Sequence, residues 1–375
     1  MSRFYSRAGG KRALQALVFL VVLALGLFQL AAPSETADPE AFTAGLPLTA
    51  AAVRAIAAQP LYAQGVTGRD VVVAVIDTGI DPGHPDLQQT PRGESKILAW
   101  IDFTGQGDAA ERAIGGLGAK PAEGDVYTKY SALATEGHII TSEGHLFLGD
   151  IRSQSGIYRY GFVAVEQLGL APEELGFERV AVVVTDPYVP GNYETVYVDS
   201  DGDLDLSEEQ ALHVYTDGGE VGWIGPPGQR NSRAFVVTEI AASGTLVNLG
   251  FDGNGHGTHV AGIIGANGPE FLGVAPGVRL LALKALNSQG EGAWENIARA
   301  MLYAAQNGAN IISVSIGGLT ETEGFLHAES QLIRELTETY GVLIILAAGN
   351  NGPGWGSVST PGDPQVSLTV GAYVT

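Results

Sequence analysis

Cysteine is absent from these 375 residues, and cations are scarce, with 20 Lys and Arg against 41 Asp and Glu. Without a thiol there is no disulfide staple, no thiolate nucleophile and no Cys-ligated zinc, so stability must come from packing and from any bound ions. The formal net charge of −21 argues against nucleic acid as a partner, because a phosphate track rewards clustered Lys and Arg. It suits an extracellular protein kept soluble by self-repulsion. Apolar residues and glycine are plentiful instead. A hydrophobic content of 45% allows a sizeable core, the length allows two domains, and 52 glycines imply many tight turns.

Near the N-terminus the cations Arg3, Arg7, Lys11 and Arg12 precede an uncharged run from Ala13 to Pro33. This is the basic and apolar pattern of a secretory signal. The run is also long enough to span a bilayer. Residues 1–32 are therefore expected to be a signal peptide or an anchor that tethers the chain to a membrane through residues 13–32, the rest lying outside the cell. Residues 33–60 read as a linker followed by a short helix near Ala50 to Ala58.

Beyond it, apolar runs at 71–76, 278–286, 311–316, 342–348 and 368–374 lack polar alternation, as strands buried on both faces of a parallel sheet do. Trp294, Ile297, Ala298, Met301 and Ala305 form the stripe of an amphipathic helix that Asn307-Gly308 ends. A second helix is expected over 327–340, with Leu332, Ile333, Leu336 and Tyr340 inward and Gly341 as its stop. Strands alternating with helices predict a doubly wound α/β domain.

Two strings carry chemistry. In Val71-Val72-Val73-Ala74-Val75-Ile76-Asp77-Thr78-Gly79 a carboxylate stands at the C-terminal end of a buried strand, where open α/β sheets place their chemistry. In Asn254-Gly255-His256-Gly257-Thr258-His259 an imidazole lies among glycines at the start of a small, apolar helix (Thr258 to Ala266), and those glycines permit close approach by another chain. Taken singly, Asp77 could end a strand in a turn and His256 could cap a helix. Asp77-Thr78-Gly79 also matches the aspartic-protease triplet, but that chemistry needs two carboxylates sharing a proton, and no second Asp-Thr-Gly or Asp-Ser-Gly occurs.

At Val75 to Gly79, His256 to Gly262 and Ala347-Ala348-Gly349-Asn350, in that order, the chain resembles the subtilisin family of serine proteases, over about residues 61–102 and 246–375. The resemblance implies a subtilisin-like catalytic domain in which Asp77 orients His256, His256 is the general base, and Asn350 donates to the oxyanion. It further implies that Ser315-Ile316-Gly317-Gly318 pairs with an extended protein or peptide substrate, with Ala348 and Gly349 on the opposite wall. No cofactor is expected for catalysis. His259 and His84 read as a helix residue and a loop residue.

The family's nucleophile lies in a Gly-Thr-Ser-Met-Ala-type turn that these residues lack. Ser357, Ser359 and Ser367 follow Asn350 without that context and read as loop or strand serines. The nucleophile is accordingly expected beyond residue 375, and the chain as written is expected to be inactive. Little room for an inhibitory prodomain lies between Ala32 and Asp77.

The family's simpler members need only a few dozen residues between Asp and His, so residues 103–245 are expected to be an inserted, small, β-rich acidic domain, as in pyrolysin-like and tripeptidyl-peptidase-like subtilases. Residues 103–251 carry 22 acidic and 8 basic residues, a net of −14. Alternating runs at Tyr158 to Val165, Val180 to Thr185 and Thr195 to Val198 suggest its strands. Within it, Asp199, Asp201, Asp203 and Asp205 place carboxylates at alternate positions, from which a looped chain could offer several oxygens to a structural calcium ion; an acidic solvated turn is the alternative. The chain is thus expected to be a secreted or tethered serine endopeptidase, with a tripeptidyl-type exopeptidase as a variant. A non-catalytic relic that captures peptides is the alternative from another class.

Overall fold

Val73 and Val75 lie in one core cluster and Ala74 and Ile76 in another, and all four are buried. Their strand, Val72–Asp77, is central in the computed structural model, which describes residues 56–105, 109–115, 118–269, 271–318, 323–352, 354, 357–359 and 367–372. The parallel sheet runs Leu368–Val370, Leu343–Ala347, Ile311–Val314, Val72–Asp77, Arg279–Lys284, Ile97–Asp102. The chain enters at the centre, moves to one edge, returns between, and then crosses to the other side of its first strand. That reversal makes a switch point beside Asp77, where the crevice of a doubly wound sheet opens.

Helices cover both faces. Val260, Ala261 and Ile264 of the His256–Gly265 helix join Val73, Val75, Leu280 and Ala282 in one cluster. On the other face, Ile297 and Met301 of the Trp294–Gln306 helix join Ile333 and Leu336 of the Glu323–Tyr340 helix, packed with Ala74, Ile76, Leu283 and Ile344. Burial on both sides explains why the strands read as continuous apolar runs. The second helix begins at Glu323, earlier than the apolar stripe alone indicated.

The apolar runs did not reveal the Ile97–Asp102 strand. Its apolar stretch is bounded by charge, with Lys96 before it and Asp102 as its last residue. The Lys96 side chain is nonetheless fully buried, with Nζ donating to the carbonyls of Pro276 and Val278, and burial pushes its ammonium down to about 7.

Residues between that strand and the His256–Gly265 helix build sheets of their own. Tyr130–Leu133, Ile157–Ala164, Arg179–Thr185 and Thr195–Val198 form one antiparallel sheet, and Gly222–Ile224, Arg233–Ile240, Val247–Gly250 and Asp125–Val126 form another. Val182, Val184, Val196, Phe235 and Leu249 pack between them. The Val247–Gly250 strand lies past the boundary expected at 245, yet it pairs with this second sheet, because its buried side chains belong to that sheet's core. The signal or anchor segment and the helix expected over 50–58, except its last residues, lie outside the described residues. Among the described residues no helix is long and apolar enough to cross a membrane.

Candidate active site

Asp77 is fully buried at the end of the central strand, and His256 opens the helix that packs on it. The His256 Nδ1–H donates to Asp77 Oδ1 at 2.7 Å across 179 positions of sequence. Nδ1 must carry the proton, since an ionised carboxylate can only accept. The same oxygen accepts from the Thr78 backbone N–H at 2.8 Å. This hydrogen bond to Asp77 raises the His256 imidazole above its ordinary value; burial opposes the shift, and the charges of Asp77 and Asp252 add to it. Nε2 is left as the acceptor on a half-exposed ring.

Two glycines allow this approach for different reasons. Gly257 touches the aspartate strand so closely that a Cβ there would strike the Gly79 carbonyl and sit 3.0 Å from Asp77 Cβ. Gly255 has open space around it but caps the helix at φ +88, a left-handed conformation.

Asp252 escaped the sequence reading. It is buried; Oδ1 accepts from Thr78 Oγ1, Asn254 N and Gly255 N, and Oδ2 accepts from the backbone N–H and hydroxyl of Thr258. Thr78 Oγ1 in turn accepts from Gly257 N at 3.0 Å. An acid shortly before a glycine-rich helix start is a capping signal that could have exposed it.

Other expected residues fall around this pair. Asn350 is exposed on the loop after the Leu343–Ala347 strand, just past Gly349 at φ +83. Among the described residues no hydrogen bond joins Asn350 to Asp77 or His256. Ser315 and Ile316 are half-buried beyond the neighbouring Ile311–Val314 strand, and Gly318 is exposed. Buried Ser359 brings the two expected walls together. Its N–H donates to Ala348 O at 2.9 Å, and its side chain fills the space that a Cβ on Gly317 or Gly349 would need. Its hydroxyl accepts from Asn351 Nδ2. Among the described residues no serine hydroxyl is hydrogen-bonded to His256. His259 lies on the exposed side of its helix, and His84 accepts from Asp86 N in a turn.

In the acidic loop, Asp199, Asp201 and Asp203 each offer an oxygen within 4.8 Å of the others. Asp199 is fully buried, which raises its carboxyl above the ordinary range; hydrogen bonds from Gly202 and Leu204 lower it, and Asp201 and Asp203 raise it further. Asp205 does not join them; its carboxylate accepts from Ser207 N. Glu209, whose carboxyl is also raised by burial, faces the loop and accepts from Ser200 N at 2.6 Å.

A carboxylate-held imidazole thus stands at the switch point of a parallel α/β sheet, with Nε2 free to take and return a proton. Residues 68–375 match the Subtilase family, and the chain belongs to it. It is 33% identical over 357 residues to pyrolysin of Pyrococcus furiosus, covering 82% of this chain and 25% of that protein. Tripeptidyl-peptidase 2 of Caenorhabditis elegans is 26% identical, covering 82% of this chain and 26% of its own. Subtilisin DY of Bacillus licheniformis is 42% identical over 115 residues, 30% of this chain and 40% of the other. The crystal structure of tripeptidyl peptidase 2 shares the fold with a TM-score of 0.59 at 17% identity, over 84% of this chain and 29% of that one. The chain thus spans about a quarter of the length of pyrolysin and of tripeptidyl-peptidase 2.

Proposed function

We propose that Asp77 and His256 are the orienter and base of a subtilisin-like serine endopeptidase acting on proteins or peptides. The 2.7 Å Asp77–His256 hydrogen bond carries the reading. His256 Nε2 takes the proton of an attacking serine as its oxygen bonds to the scissile carbonyl carbon. When the C–N bond breaks, His256 returns that proton to the leaving amine, and Asp77 stays ionised and stabilises the imidazolium throughout. The Asn350 side-chain amide donates to the developing oxyanion. The peptide lies along Ser315 to Gly318 with Ala348 and Gly349 opposite, bound by strand addition. The serine is supplied by a Gly-Thr-Ser-Met-Ala-type turn, which these 375 residues do not contain. We also propose that residues 61–102 and 246–375 make the catalytic domain and 103–245 an inserted one, whose second sheet is completed by the Val247–Gly250 strand of the catalytic segment. The segment before them acts as a secretory signal or anchor that places the protease outside the cell.

Asp199, Asp201 and Asp203 fit a calcium ion, since all three offer hard oxygens and gather like charge that a cation would relieve. Calcium would supply structural cohesion and no chemistry.

The test is casein hydrolysis by the chain joined to its nucleophile segment, beside the 375-residue chain alone. The first is expected to turn over and His256→Ala to lower kcat by about 10⁶, the size known for the catalytic histidine of subtilisin. The second is expected to leave a fluorophosphonate probe unreacted. Near-native turnover by His256→Ala would show another base. Labelling at Ser357, Ser359 or Ser367 would show that the nucleophile lies within these residues.

A further inference from the structure

The Lys284 side chain is fully buried at the end of the Arg279–Lys284 strand, in register with Asp77. Its ammonium donates to the carbonyl of Thr78, the residue after Asp77, at 2.7 Å, and sits 5.7 Å from the centroid of the Phe251 ring. A buried ammonium without an anion is costly, so its counter-ion holds it in place. Two carboxylates face it. Asp102, paired with Lys284 in the core sheet, accepts from the backbone N–H and hydroxyl of Thr104 through Oδ1; burial raises its carboxyl to about 6, and the Lys284 charge opposes that rise. Glu123, from the segment between Asp77 and His256, places Oε2 2.8 Å from Lys284 Nζ.

The other oxygen of Glu123 leads to His256. Oε1 accepts from Ser288 N at 3.1 Å, Ser288 O accepts from Asn254 Nδ2 at 2.9 Å, and Asn254 Oδ1 accepts from His256 N at 3.3 Å. One carboxylate therefore reaches both partners, through Lys284 and Thr78 to Asp77, and through Ser288 and Asn254 to His256. Its backbone is fixed as well, with the N–H donating to Thr104 Oγ1 and the carbonyl accepting from Asn248 Nδ2.

We infer that Glu123 and Lys284 are positioning residues, through which the segment ahead of the histidine helix sets the geometry of the Asp77–His256 pair. The inference rests on the reading of that pair as orienter and base. Lys284 acts on the carbonyl next to Asp77, and Glu123 acts through Lys284 on one side and through Ser288 and Asn254 on the other.

The experiment uses the 375-residue chain, ¹⁵N-labelled at histidine, with His256 assigned by its loss in His256→Gln. Its titration and its Nδ1–H resonance are followed by NMR, and unfolding by urea. Glu123→Gln is expected to move the His256 titration down toward the ordinary imidazole value and to broaden or abolish the Nδ1–H signal. In Glu123→Gln/Lys284→Met both members of the ion pair are gone and Asp102, whose carboxyl burial already raises to about 6, takes up a proton, so the unfolding midpoint is expected to recover while the His256 signals stay displaced. This second variant keeps the test readable if the first unfolds. His256 signals unchanged in a folded Glu123 variant, or recovering together with stability in the double variant, would reduce these residues to packing and overturn the inference. Asp77→Asn separates the two ideas. If it leaves the His256 titration unmoved, the pair itself is wrong, whatever Glu123 does.

Discussion

Thr78 and Asp252 share a 2.9 Å hydrogen bond across 174 positions of sequence, and it ties the end of the aspartate strand to the start of the histidine helix. The carboxylate that receives it also caps the helix through Asn254, Gly255 and Thr258, so one buried group fixes both pieces of backbone that carry the pair.

Asp252→Ala is therefore expected to cost roughly 2 to 4 kcal/mol, combining a lost cap with buried donors left unpaired. Urea unfolding checks the magnitude. A loss within about 0.5 kcal/mol, the range of an ordinary surface substitution, would mean the cap is dispensable.

Gly257→Ala and Gly255→Ala should separate space from conformation. At Gly255 the new methyl meets nothing, and the left-handed backbone alone costs about 1 to 2 kcal/mol. At Gly257 it collides with the Gly79 carbonyl, which belongs to backbone and cannot swing aside, so the helix must lift from Asp77. The expectation is a larger loss of stability at 257, together with a weakened His256–Asp77 bond read from the histidine NMR signals. Equal costs at both positions would contradict the close approach.

Because the hydrogen bond to Asp77 raises the folded-state value of His256, the pair stabilises the fold fully at pH below the unfolded imidazole value, about 6.5. That contribution is lost as pH rises through the raised value. The stability gap between the chain and Asp77→Asn should accordingly be widest near pH ~5.5 and narrow on going alkaline. In the assembled protease the free imidazole is the base, so kcat/KM should fall on the acid side with the same titration. A gap that widens with pH would reverse the assigned sign.

Calorimetric titration should detect calcium at the Asp199 loop, with a Kd on the order of 10⁻⁴ to 10⁻³ M as in extracellular modules. Asp201→Asn should weaken it, and a chelator should lower the melting temperature of the unmodified chain. No heat at millimolar calcium and no chelator effect would leave the loop an acidic turn.

How much of this could be read from the chain follows from how local each determinant is. Continuous apolar runs named the sheet strands because both faces of 72–76 are covered, and the Trp294 to Ala305 stripe named its helix because one face repeats every turn. Asp77 and His256 stood out because strand-end acid and glycine-flanked imidazole are local patterns. Ile97–Asp102 stayed hidden because the charges flanking it find their partners only in distant strands and loops. The roles of Asp252, Glu123 and Lys284 were not visible either. A carboxylate in a loop and a lysine in an apolar strand acquire meaning from groups more than 150 positions away, which the sequence does not order in space. The sequence by itself determined the apolar strands of the core sheet other than Ile97–Asp102, the Trp294–Gln306 helix, and the two residues of the pair. Only the tertiary structure decided which buried charges compensate one another, because low-dielectric burial makes an ion's partner a matter of ångströms rather than of spacing along the chain.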